Sequence, residues 1–151
     1  MSRFADIITP NGFEAELLTG IKPNIDNINL VLDKLHLLGP RIVIITSVES
    51  NGYFLYGSYK EYRFRIPLKM VTKNDSESIN FTGTGDVFSA LLLAQLHLKD
   101  DLRSACVCVV DTIYAILKNT INIRVKGCEL ALVQSASLIL NPPSVAVSRN
   151  F

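Results

Sequence analysis

No apolar run in this chain approaches the about 18 residues that a membrane span needs. The longest, around residues 42–45 and 90–94, fall far short, so no membrane partner is expected. Basic runs and basic stripes are missing as well, and the net charge is only +1, which argues against nucleic acid. The opening Met1-Ser2-Arg3-Phe4-Ala5-Asp6 has no apolar core of a signal peptide. Cysteine is scarce. Cys106, Cys108 and Cys128 are odd in number and lack metal-like or disulfide-like spacing, so they read as apolar fillers in a reducing cytoplasm. His36 and His97 each stand singly on a helical stretch with no ligand pattern nearby, and both read as structural. Internal repeats and low-complexity linkers are absent.

What is present suits a globular fold. At 151 residues, 48% apolar and 19% charged, the chain fits one domain, 1–151, able to bury a real core. Residues 5–8 read as a short strand ended by Thr9-Pro10-Asn11, and 13–18 as a short helix stopped by Gly20 and Pro23. Ile28, Val31, Leu32 and Leu35 fall at helical spacing within 24–38, before the firm stop of Gly39-Pro40. Residues 41–46 are β-branched and apolar, the mark of a strand covered on both faces, as in a parallel sheet. Residues 53–57 and 62–66 read as an antiparallel pair near a sheet edge, their tyrosines serving strand packing. The polar stretch 71–80 is expected to be mobile. Helices follow at 85–98, apolar all round and hence deeply buried, then after Asp100 or Asp101, and finally at 128–138. Alternating helix and strand predicts an α/β layered fold.

In open sheets of that kind ligands sit beyond the carboxyl ends of strands. Three polar clusters are placed there: residues 9–14, Thr46-Ser47, and 83–86. The last is the most informative. Gly83 and Gly85 lack Cβ, so the backbone can take φ > 0 and approach a ligand closely. The helix behind them offers unpaired amides and the positive end of its dipole to an anion such as phosphate. Asp86 is unremarkable as a helix-start residue, but beside bound phosphate it would be a base. Asn11 could equally cap the helix at 13–18 with Glu14 as its capping partner. Thr46 and Ser47 could simply end a strand.

Taken together, three segments resemble the ribokinase-like small-molecule kinases, most nearly their vitamin B6 branch. They are Ala5-Asp6-Ile7-Ile8-Thr9-Pro10-Asn11-Gly12-Phe13-Glu14-Ala15-Glu16-Leu17-Leu18, then Val43-Ile44-Ile45-Thr46-Ser47, then Gly83-Thr84-Gly85-Asp86-Val87-Phe88-Ser89-Ala90-Leu91-Leu92-Leu93-Ala94. The resemblance implies a ribokinase-like fold: part of a mostly parallel sheet flanked by helices, with an antiparallel edge pair. It implies ATP-dependent phosphorylation of the 5'-hydroxymethyl group of pyridoxal, pyridoxine or pyridoxamine. Asp86 would be the catalytic base, and the amides of Gly83, Thr84 and Gly85 the anion hole. Asn11, Thr46, Ser47 and Thr84 would contact ATP. Thr9 and Glu14 would serve the cations, Mg2+ and a monovalent ion such as K+. Rival readings are a hydroxymethylpyrimidine-type kinase and a non-catalytic nucleotide-binding scaffold.

Two departures bear on activity. Kinases of this family run to roughly twice this length, and the part corresponding to the first half would precede Met1. That half supplies most contacts to the pyridoxal ring, so this chain is expected to be weak or inactive alone. Its apolar edge is expected to promote a homodimer or association with another chain. Residues 77–82 are also more polar than the family's segment beside the nucleotide, and Gly12 stands where the family often has a larger polar residue.

Overall fold

A run of β-branched side chains stiff at χ1 favours extended backbone, and residues 42–45 begin the central strand of a four-stranded sheet. The computed structural model describes residues 5–73, 77–78, 81–99, 101–123 and 129–143. It divides into two compact units, Met1–Lys69 and Met70–Phe151. In the first unit the strand order is β1 (Ile7–Ile8), β2 (Ile42–Glu49), β3 (Tyr53–Tyr59) and β4 (Tyr62–Leu68). β1 lies parallel to β2, with Ile7 opposite Ile42 and Ile8 opposite Val43. On its other side β2 pairs antiparallel with β3, and β3 with β4. The sheet is therefore mixed. The antiparallel pair expected near its edge is present, and it hydrogen-bonds directly to the strand whose composition suggested parallel neighbours on both sides.

Two helices cover one face. α1 (Gly12–Thr19) ends on Gly20, whose φ of 72° is the left-handed turn that glycine takes without strain. α2 (Ile28–His36) buries Ile28, Val31, Leu32 and Leu35, the stripe its spacing predicts. These side chains pack with Ala15, Val43, Ile45, Val48 and Tyr56 into one core. His36 is structural, as expected. Its Nδ1 lies 3.0 Å from the Pro40 carbonyl and its Nε2 2.8 Å from the Ser58 hydroxyl. A carbonyl only accepts, so Nδ1 donates to Pro40, and the contact of Nε2 with the Ser58 hydroxyl ties the end of α2 to β3.

The second unit begins with a two-stranded antiparallel ribbon, β5 (Thr72–Lys73) and β6 (Glu77–Ser78). Part of the stretch expected to be mobile is thus paired, while residues 74–76 and 79–80 lie outside the described residues. α3 (Thr84–Leu96) packs along α4 (Leu102–Asn122). The expectation that α3 is buried all round is not met. Phe88, Leu91, Leu92 and Gln95 are buried, whereas Leu93 is 60% exposed. α4 buries Ala105, Cys106, Val109, Thr112, Ile116 and Thr120. By length and composition it is the one described helix apolar enough to cross a membrane. A search for unbroken apolar runs passes over it, because Arg103, Asp111 and Lys118 interrupt the sequence. The final helix is shorter than the sequence suggests. A 3-10 turn at Val133–Ser135 leads into α5 (Ala136–Leu140), Glu129 forms a lone parallel bridge with Thr82, and Cys128 lies outside the described residues. Thr120 on α4 closes this segment by accepting the Ala131 N–H, and Asn119 donates to the Ser135 hydroxyl.

Candidate functional site

In the first unit, Pro10 follows β1 and cannot donate to a ladder, so the chain turns into α1. Its carbonyl accepts the Thr46 N–H at 2.9 Å, joining the start of α1 to the far part of β2. Asn11 is the N-cap. Its Oδ1 accepts the Glu14 N–H at 2.9 Å, and Glu14 Oε2 accepts the Asn11 N–H at 2.8 Å. This reciprocal box satisfies two backbone donors that a helix start leaves over. The capping reading that the sequence left open is therefore realised. It engages one oxygen of each side chain, and the Asn11 amide nitrogen and the second Glu14 carboxylate oxygen take no part in it.

Thr46 and Ser47 do more than end a strand. Ile45 pairs with Tyr56 and Val48 with Phe54, so two residues of β2 stand against one of β3. A bulge of this kind bends the strand and re-aims its side chains. Gly12 sits against this bulge so closely that a Cβ there would lie 2.5 Å from the Ser47 carbonyl oxygen. A larger side chain has no room here, which gives Gly12 a physical reason. Asn11, Gly12 and Ser47 line one recess of about 540 Å³, shared with Lys22, Glu49 and Tyr53. No pattern in the sequence marked Lys22 or Glu49, and Tyr53 was read only as strand packing. Thr9 and Glu14 line a second recess of about 460 Å³. Among the described residues no three His, Cys, Asp or Glu side chains gather into a ready cation cage.

In the second unit, Gly83 caps α3 with φ 84°, a left-handed conformation that favours glycine, and no side chain caps the helix. Thr84, Gly85 and Asp86 form the first turn, where backbone N–H groups have no partner within the helix. Gly85 differs from expectation, because its φ is not positive. A Cβ at Gly83 or Gly85 would meet nothing within 4 Å, so internal packing explains neither glycine. Asp86 is exposed, in the first turn of the helix.

The sequence matches the family profile described as phosphomethylpyrimidine kinase over residues 1–130. Human pyridoxal kinase is 40% identical over 131 residues, a match covering 78% of this chain and 41% of that protein. The Arabidopsis thaliana pyridoxal kinase is 34% identical over 149 residues, covering 91% of this chain and 48% of its own length. The crystal structure of Plasmodium falciparum PdxK with ligands AMP-PNP and PL is similar with a TM-score of 0.75 at 31% identity. It covers 93% of this chain and 48% of that one. The chain thus spans about half the length of these relatives. With that profile matching most of the sequence, and with the ribokinase-like α/β architecture of the PdxK structure, the chain belongs to the phosphomethylpyrimidine kinase family.

Proposed function

We propose that this chain carries the phosphoryl-transfer half of an ATP-dependent kinase acting on the 5'-hydroxymethyl group of pyridoxal, pyridoxine or pyridoxamine. The observation that supports it most is the start of α3, where Gly85, which neither its φ nor internal packing requires, directly precedes an exposed Asp86. In this reading Asp86 is the catalytic base. The substrate oxygen bonds to the γ-phosphorus, the bond from that phosphorus to the ADP oxygen breaks, and the hydroxyl proton passes to the Asp86 carboxylate. The amides of the cap Gly83 and of Thr84 and Gly85 in the first turn hold the negative charge of the transferring group. Asn11, Thr46, Ser47 and Thr84 contact the nucleotide phosphates. Thr9 and Glu14 supply oxygen donors, the type Mg2+ and K+ take. Mg2+ usually keeps several waters and relies on substrate phosphates, so it does not need an all-protein cage.

Identity favours the vitamin B6 substrates over hydroxymethylpyrimidine, since the human and Arabidopsis thaliana relatives are pyridoxal kinases. The reducing cytoplasm suits the buried, unpaired Cys106. Because in-line positioning of the acceptor is worth several orders of magnitude in rate, turnover by this chain alone is slow. The test is a coupled ADP-release assay with pyridoxal and with hydroxymethylpyrimidine, on this chain and on Asp86→Asn. Pyridoxal-dependent release that falls at least about a hundredfold in the variant fits general-base catalysis. Equal release by both proteins removes Asp86 as the base. Nucleotide binding with no release by either favours a non-catalytic, nucleotide-binding scaffold.

A further inference from the structure

The loop after α1 brings a cation, Lys22, to the recess that Asn11 and Ser47 share. That loop is braced on both sides of the residue. Thr19 Oγ1 accepts the Ile21 N–H at 3.2 Å, and the Lys22 carbonyl accepts the Asn27 side-chain amide at 3.0 Å. Asn24 and Asn27 tie the turn that follows, each Oδ1 accepting the other's backbone N–H. Pro23 restricts the residue before it to extended backbone, and it lies buried beside Gly12.

The backbone of Lys22 is thus fixed, yet its charge is not used within the fold. Glu16 and Glu49 line the same recess, but among the described residues no hydrogen bond or ion pair engages the Lys22 ammonium. Other cations of this unit are engaged: Arg63 is held against Asn29 and Asp33, and Lys34 donates to the Thr19 carbonyl. Lys22 is the one cationic side chain lining the recess, whose volume of about 540 Å³ falls in the range of small-molecule sites. We propose that Lys22 is a phosphate-binding residue, its ammonium donating to an outer phosphate oxygen of a magnesium-bound nucleotide. This deepens, and rests on, the reading that nucleotide phosphates meet Asn11 and Ser47. An ammonium on a long stem serves phosphate as a point charge and needs no bidentate geometry. Two carboxylates against one ammonium leave the recess negative, so a bare polyphosphate is repelled and one neutralised by magnesium is admitted.

The test is titration calorimetry of the full 151-residue chain with Mg-ATP, on wild type, Lys22→Met, Lys22→Arg and Lys34→Met. Lys22 is exposed, so its variants are expected to melt at the wild-type temperature without nucleotide. Lys22→Met is expected to weaken binding about tenfold or more, the loss of one charge-assisted hydrogen bond. It is also expected to flatten the dependence of affinity on salt, because an exposed charge is screened. Lys22→Arg keeps the charge and is expected to keep most of the affinity. Lys34→Met removes the same charge outside the recess and is expected to leave binding intact. Unchanged affinity in Lys22→Met overturns the proposal, as does equal weakening by Lys34→Met or an absence of Mg-ATP binding by the wild type. Binding that is weakened by Asn11→Asp but not by Lys22→Met removes Lys22 alone and leaves the phosphoryl-transfer reading standing.

Discussion

Gly12 shows how one missing side chain holds two candidate ligand-binding segments together. The capping box sets where α1 begins, and the bulge at Thr46 and Ser47 sets where β2 bends. The contact between them is so tight that a Cβ would sit 2.5 Å from the Ser47 oxygen. Gly12→Ala must push the two apart, and overpacking of this kind costs about 1–3 kcal/mol. Urea unfolding of the variant is expected to show that loss, and an unchanged midpoint would mean the segments yield freely. Cys106 offers a second residue-level check. Burial, and then the nearby Asp101 charge, push its thiol from 9.0 up to about 12. A raised value means that the folded state holds the proton more tightly than the unfolded chain. The stabilisation is complete below pH 9 and is lost as pH rises toward 12. Wild type is therefore expected to lose more stability than Cys106→Ala between those limits in thermal melts. Parallel curves would show that the thiol does not titrate this way.

Among the helices, the ends decide what can be read from sequence. α4 starts where Asp101 accepts the Arg103 N–H at 2.9 Å and the Ser104 N–H at 3.2 Å. Its carboxyl is held below 3.8 chiefly by the Ser104 side-chain hydrogen bond, so the cap's contribution is present above that range and fades as pH falls through it. Asp101→Ala is expected to destabilise by about 1 kcal/mol near neutrality, and the difference from wild type is expected to shrink in acid. Denaturation at neutral and acidic pH tests both. α2 was legible because Ile28, Val31, Leu32 and Leu35 repeat at helical spacing and all end in the core. The outward face of α3 was not, since composition marks Leu93 as apolar but says nothing of whether a neighbour covers it. The ribbon of β5 and β6 was hidden as well. Two residues per strand give no periodicity to detect, and polar side chains suggested a loop. The bulge escaped for a related reason, because an alternation rule cannot show two residues opposite one. Around the glycine turn more was readable, since a left-handed cap strongly favours glycine, and Gly83 supplies it at φ 84°.

For the molecule as a whole, motif order revealed the family, and the chain spans about half the length of the relatives it matches. Phosphate contacts and ring contacts then separate experimentally. If the nucleotide contacts reside here, Mg-ATP at a hundredfold excess over its dissociation constant is expected to stabilise the chain by about 2.7 kcal/mol, while pyridoxal alone adds little. Asn11→Asp makes the test sharp. Aspartate and asparagine are equally good N-caps, so the start of α1 should survive. The substitution nevertheless replaces the amide donor left outside the capping box with a second anion beside Glu14, which repels phosphate. The variant is expected to unfold near the wild-type temperature without nucleotide, and to lose most of the Mg-ATP stabilisation. Full retention of the nucleotide effect would reduce Asn11 to a helix cap. No nucleotide effect in the wild type would place the phosphate contacts outside this chain.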